Sequence, residues 1–374
     1  MALFGSQAPA PAATSTTGDL SKDVEIPKDG MATDSISDLA FSPTHDFLAM
    51  TSWDKSVTIY EVTANGPVGK WKGVCKTQQG KEEIPLCLGW SQDGTKLAVG
   101  GADGTLFYYD FAQINGNELT PTATWQAHQT GIKGIRWFVF QNTKQILITG
   151  SWDKTVKYFD LSAANPTEPM GTLQCQERVY SMDVKQNALL VIATAERHIH
   201  IVNLNDPTKI HKTITSPLKW QTRVVSCFSD ATGFAVGSIE GRCAIQYVDD
   251  QNTSLNFSFK CHRQQDPTNR DIARVYSVNA ISFHPTHGTF STAGSDGTFH
   301  FWDKDAKHRL KGYPDVGGSI TATAFSKDGN IFAYAVSYDW SKGYAASTPG
   351  QKLCVKLHPI IGDECKPRPG TKKR

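Results

Sequence analysis
One short pattern organises this chain of 374 residues, because it returns seven times. Small or turn-forming residues, an acid, and then alternating apolar and polar residues occur at Ser52-Trp53-Asp54, Gly101-Ala102-Asp103, Ser151-Trp152-Asp153, Ala195-Glu196, Ser238-Ile239-Glu240, Gly294-Ser295-Asp296 and Ser337-Tyr338-Asp339. The acids stand 49, 50, 43, 44, 56 and 43 residues apart. In the first six units the residue seven positions after the acid closes the alternating stretch, at Glu61, Asp110, Asp160, Asn203, Tyr247 and Asp303.

An acid followed by glycine, as in Asp103-Gly104, Glu240-Gly241 and Asp296-Gly297, suits a tight hairpin turn that needs positive φ, and alternation after it is the signature of a strand. The apolar runs before the turns, at residues 96–101 and 145–150, end in small residues that let neighbouring units approach closely. A period of ~40 to 45 residues with loop insertions is that of a four-stranded propeller blade. The chain is therefore predicted to be all-β: a seven-bladed β-propeller with blades at 33–75, 84–127, 130–174, 177–215, 219–263, 275–313 and 317–359. Such rings avoid open sheet edges by closing, commonly with a terminal strand added to the last blade. The seventh unit supplies three clear strands, so the strand 23–26, Asp23-Val24-Glu25-Ile26, is expected to complete it. In that unit a long excursion from Trp340 precedes the strand at 352–357, which marks a functional insertion. Residues 1–20, rich in Ala, Pro, Ser and Thr, are expected to be disordered, 21–362 to form the propeller and 363–374 a basic tail. Two smaller β domains are the alternative use of this length.

With 39% hydrophobic and 20% charged residues the bulk should fold. A net charge of +2 gives no global mandate for nucleic acid or anionic lipid. No stretch approaches the ~18 apolar residues of a membrane helix, and the start lacks a basic and then apolar leader. An intracellular protein with no membrane partner is expected. Its eight cysteines include no Cys-x-x-Cys pair, so reduced and mostly buried thiols are expected rather than a zinc or redox site. There is no Walker loop, H-E-x-x-H, EF-hand loop or G-x-S-x-G elbow, and Cys261-His262 has no second pair at finger spacing. No catalytic residue, metal or cofactor is expected, and a propeller hydrolase is a disfavoured alternative. His128 is read as a folding device that bonds toward Asp153, directly or through Ser151.

Two tryptophans occupy positions a propeller does not require. Trp53 and Trp152 precede the turn acid, at hairpin tips where small residues would suffice. Tryptophan and arginine are the commonest binding hot spots, and Arg242 starts a strand where other units carry Ser56, Thr105, Thr155 and Thr298. An arginine there suggests a carboxylate partner. The open alternative is that both tryptophans lie flat on neighbouring loops and Arg242 pairs with Glu240. Charge is also regional: residues 1–40 hold six acids and two lysines, whereas residues 300–374 hold thirteen Lys and Arg against seven acids. The run from Trp302 to Lys311 interleaves an aromatic with cations, as single-stranded nucleic acid binding would use. A solvated outer strand with an inert tail is the alternative.

At residues 259–263 (FKCHR), 278–285 (VNAISFHP), 294–297 (GSDG), 302–306 (WDKDA) and 337–343 (SYDWSKG) the sequence resembles the WD-repeat subfamily of nuclear poly(A) RNA export factors, over residues 21–370. Related mitotic-checkpoint WD-repeat proteins, which bind GLEBS-like segments of checkpoint kinases, share the first elements, while the runs at 302–306 and 337–343 favour the export factors. The resemblance implies a non-enzymatic, monomeric adaptor of the mRNA export machinery, paired with a Gly-Leu-Phe-Gly nucleoporin through its GLEBS segment. It implies a location at the nuclear envelope and nuclear pore complex, with shuttling from nucleus to cytoplasm. Arg242 would receive GLEBS glutamates, with Trp53 and Trp152 packing on its apolar side chains. An RNA-binding ridge would map to Phe257, Trp302, Lys304, Lys307 and Arg309, although His308-Arg309 interrupts the lysine run. A spindle-assembly-checkpoint adaptor using the same face is the alternative role.

Overall fold
Where the acid of the recurring pattern is an aspartate, it caps the turn between the second and third strands of its unit. In the computed structural model, which describes residues 16–368 except 64, 115, 142, 186 and 187, Asp54 accepts the Ser56 N–H at 3.0 Å, Asp103 that of Thr105 at 2.8 Å and Asp153 that of Thr155 at 3.0 Å. The next residue takes the left-handed conformation, with φ of 92° at Gly104 and 72° at Gly297. In the two Ser-Trp-Asp-Lys turns a lysine does so instead, Lys55 at 72° and Lys154 at 71°, at a cost of about 1–2 kcal/mol each that the aspartate bonds help to offset.

Seven four-stranded antiparallel sheets result. Blade one runs Ile36–Phe41, Phe47–Ser52, Ser56–Thr63 and Gly66–Val74. The first strand of every blade lies beside the first strands of its two neighbours, so these seven line the axis. Second strands such as Leu189–Thr194 and Gly233–Ser238 are buried throughout, sandwiched between blades. Small residues make that approach possible: a Cβ on Gly100 would stand 2.7 Å from Ile132 of the next blade. The long interval between the fifth and sixth acids holds a 3-10 turn at Asp250–Leu255 and a two-stranded hairpin, Arg263–Gln265 with Ala273–Val275.

Blade seven takes its outer strand from the chain's start. Val24 pairs with Leu357 and Glu25 with Lys356, and the Ile26 N–H donates to the Val355 carbonyl at 2.9 Å. The joint is locked by charge. His358 Nδ1 stands 2.6 Å from Asp23, its Nε2 3.3 Å from Glu364, and the Tyr334 hydroxyl donates to the same Asp23. Both the Asp23 and His358 side chains are 1% exposed.

Two terminal expectations change. Within the segment expected to be disordered, residues 16–18 lie along blade six, with Gly18 N–H donating to the Gly312 carbonyl at 2.8 Å and Gly312 N–H to that of Thr16 at 2.9 Å. The Gly18 backbone rests on the Tyr313 ring, which leaves no room for a side chain. The tail also begins inside the fold, since Cys365 is buried and its carbonyl accepts the Thr289 hydroxyl at 2.6 Å. Residues 1–15 and 369–374, which include the rest of both segments, lie outside the described residues.

Burial alone would lower the His358 pKa, but its bonds to Asp23 and Glu364 prevail and raise it to about 9. A folded value above the ordinary 6.5 means that this stabilisation is complete below about pH 6.5 and is lost as pH rises through 9. Asp23→Asn should therefore lower the unfolding midpoint most near pH 6, by an equivalent of about 3 kcal/mol at most. Thermal unfolding across pH should show the gap to the parent protein largely closed at pH 10; a constant gap would contradict the charge lock.

Candidate partner-docking face and outer basic edge
Acid-bearing turns of blades one, three, five, six and seven contribute to the lining of a funnel-shaped cavity of about 1380 Å3, where Trp53, Trp152, Ile239, Tyr338 and Trp340 stand. Trp53 stacks on Trp340 of blade seven, with ring centroids 5.0 Å apart and planes 21° apart, and Trp340 in turn packs on Tyr338 at 5.5 Å. Trp152 lies against Gly131, where a Cβ would come within 2.8 Å of its ring, yet 36% of the residue remains exposed. Both tryptophans thus lie flat on neighbouring segments while keeping access to the mouth.

Arg242 lies outside the funnel lining, at the start of the third strand of blade five opposite Lys260. Its Nε is 3.6 Å from Glu240, the partner foreseen in the self-contained alternative, and Arg263 reaches the same carboxylate at 2.8 Å. Two guanidiniums share one acid. An incoming carboxylate can take Arg242 while Glu240 keeps Arg263, so the patch suits an acidic ligand.

The predicted basic ridge is divided by the fold. Trp302 donates its Nε1 proton to Thr292 Oγ1 at 2.9 Å; Thr292 meets His262 Nε2 at 3.0 Å, and His262 Nδ1 meets Asp296 at 2.9 Å. Its ring packs on Phe259 at 4.5 Å. Lys304 is 7% exposed, paired with Asp305 at 2.8 Å and placed 4.9 Å over the Phe228 ring. Trp302 therefore has a structural role while staying half-buried, and Lys304 is largely withdrawn from solvent. The outer edge keeps Lys307, whose Nζ lies 5.0 Å over Phe257, and the exposed Arg309.

A second relay holds blade three. His128 Nδ1 meets Asp153 directly at 2.9 Å, so Ser151 does not bridge them, and the His128 Nε2 meets Thr149 at 2.7 Å. Ser151 instead accepts the Asp153 N–H at 3.0 Å. Burial lowers the His128 pKa against the pull of Asp153.

Several face residues escaped sequence reasoning. Ile239 is 42% exposed and Tyr338 stacks at the mouth; both occupy the position before the acid that singled out Trp53 and Trp152. Trp220, Ile272, Val275 and Tyr344 are also exposed, and they come from loops and the extra hairpin, for which the repeat has no register.

Seven blades with the recurring turn define a WD-repeat β-propeller. A family model described as the WD domain, G-beta repeat matches residues 273–303, and one described as the anaphase-promoting complex subunit 4 WD40 domain matches residues 39–140. A solved chain titled "Structure of U3-55K" superposes with a TM-score of 0.72 over 90% of this chain and 98% of that one at 14% identity, a likeness of fold alone. A Chaetomium thermophilum protein named mRNA export factor GLE2 is 56% identical over 96% of this chain and 97% of its own length. The Schizosaccharomyces pombe Poly(A)+ RNA export protein is 48% identical over 99% of both, and Drosophila melanogaster Protein Rae1 is 42% identical over 90% of this chain and 93% of its own. The chain belongs to the WD-repeat mRNA export factor family.

Replacing Thr292 by valine should strand both the His262 and Trp302 nitrogens inside blade six. A loss of about 1–3 kcal/mol is expected, readable as a lower denaturant midpoint with an unchanged slope; an unaffected midpoint would deny the relay a stabilising role.

Proposed function
We propose that this protein is a non-enzymatic adaptor of nuclear mRNA export that holds the GLEBS segment of a Gly-Leu-Phe-Gly nucleoporin across the funnel mouth. The observation that carries the reading is the union of an accessible aromatic mouth with the paired guanidiniums of Arg242 and Arg263 around one acid. An extended segment with apolar and acidic residues meets both. The relatives named as export factors support the process in which the adaptor works, and a nuclear-pore location with shuttling to the cytoplasm follows from that role. A weaker contact to RNA falls to Phe257, Lys307 and Arg309 on the outer edge of blades five and six.

A GLEBS peptide should bind the purified protein, and Arg242→Glu should weaken it at least about tenfold, the scale of one charge-assisted contact. Binding that survives this change would refute the site. For RNA, log affinity should fall with log salt at about −0.7 per neutralised phosphate. Changing Lys307 and Arg309 together to glutamate should flatten that slope, and an unaltered slope would remove the edge from the reading.

A further inference from the structure
The first strand of every blade carries one irregular residue. Pairing with the second strand slips between Ile36 and Asp38, Pro85 and Cys87, Ile132 and Gly134, Val179 and Ser181, Thr222 and Val224, Val278 and Ala280, and Ile320 and Ala322. The bulged residues are Ser37, Leu86, Lys133, Tyr180, Arg223, Asn279 and Thr321, and all seven line the funnel. A bulge re-aims its side chain. Repeated at one register in seven blades around an axis, it builds a collar.

The collar's chemistry is one-sided. It holds two cations, three hydroxyls and no carboxylate. Lys133 Nζ donates to the Leu86 carbonyl at 3.3 Å, and among the described residues neither Lys133 nor Arg223 has a carboxylate within 4.0 Å. Farther along the channel the charge is compensated: Arg136 donates to Asp183 at 2.9 Å, and Asp183 also accepts the Cys227 N–H at 2.7 Å. Asp38 is engaged by the backbone N–H groups of Leu39 and Leu88. Confined cations are ordinarily paired, so the collar stands out against the layer beside it. Burial is the main cause that holds the Lys133 ammonium below its usual pKa; Asp38 opposes this, and Arg223 and Arg136 add repulsion.

We propose that the collar binds a compact polyanion of the phosphate class, gripped by Lys133 and Arg223 from blades three and five. Tyr180 stands on the blade between them, whereas the Ser37 hydroxyl is donated to the Pro85 carbonyl and that of Thr321 is paired with Ser337. The guanidinium and ammonium match tetrahedral oxyanion oxygens, and the exposed Arg178 and Lys342 on the funnel wall draw anions inward. The collar shares its funnel with the aromatic mouth but uses none of the mouth's residues.

Calorimetric titration with sodium tripolyphosphate at constant ionic strength should show one saturable site. Arg223→Gln and Lys133→Met should each weaken it about tenfold or more, whereas Lys307→Gln with Arg309→Gln on the outer edge should leave it unchanged. Arg223 is exposed in the channel, so its variant should melt with the parent and decides the matter if Lys133→Met fails to fold. Absence of a saturable site, or equal loss in the edge variant, overturns the proposal. A 5′-triphosphorylated oligonucleotide and its hydroxyl-ended twin separate the sources: preference for the triphosphate end supports a chain-borne phosphate, and tripolyphosphate binding with neither oligonucleotide supports a free one. Equal binding of both oligonucleotides in competition with tripolyphosphate, or its displacement by a glutamate-rich peptide of higher affinity, would overturn the assignment.

Discussion

The propeller depends on one antiparallel joint, where two residues near the start of the chain pair with the strand that ends it. Every other blade is built from neighbouring sequence, but the ring closes only through Val24 and Glu25 against Leu357 and Lys356. So small a pairing carries few backbone bonds. The buried cluster of Asp23, His358, Glu364 and Tyr334 compensates by adding charge-assisted bonds at the same place. The aromatic stack of Phe299 on Tyr313, 4.1 Å apart, abuts it from blade six, so closure is tied to the packing of a second blade.

Closure completes the ring of blades that frames the funnel. Trp53 and Trp340 come from blades one and seven, the two blades adjacent across the joint, and their stack spans the seam. The residues proposed to dock a partner are satisfied internally: Trp53 rests on Trp340, Trp152 on Gly131 and Arg242 on Glu240. Such preorganisation lowers the ordering cost of taking up a partner, while the surplus guanidinium keeps the face receptive to acids.

The architecture was legible because the turn acid has a local physical role that no tertiary context can replace. Its carboxylate caps the N–H two residues on, and the next residue must tolerate positive φ, so the pattern at Asp103-Gly104 or Asp153-Lys154 is visible in sequence. The missing fourth strand of the seventh unit located the closing strand to within a residue at either end. Sites were less legible. Lys304 and Lys307 look alike in a basic run, yet one side chain is folded over Phe228 and the other over Phe257 at the surface. The relay from Asp296 to Trp302 joins residues on both sides of a hairpin and across to the preceding blade, and no spacing in the chain announces it. Seven bulges at one register are a property of strand pairing and leave no residue-type signature.

The position of the closing strand also governs how the protein is made. Synthesis runs from the N-terminus, so residues 24–25 leave the ribosome more than three hundred residues before their partner strand exists. Six blades can form behind them, each from contiguous chain, but the last sheet must wait for release of the final strand. Until then the growing molecule is an open arc with an unpaired edge at each end, the state in which strand-mediated misassembly is most favourable. The arm at residues 16–18 pairs with blade six, so its place is available one blade before completion.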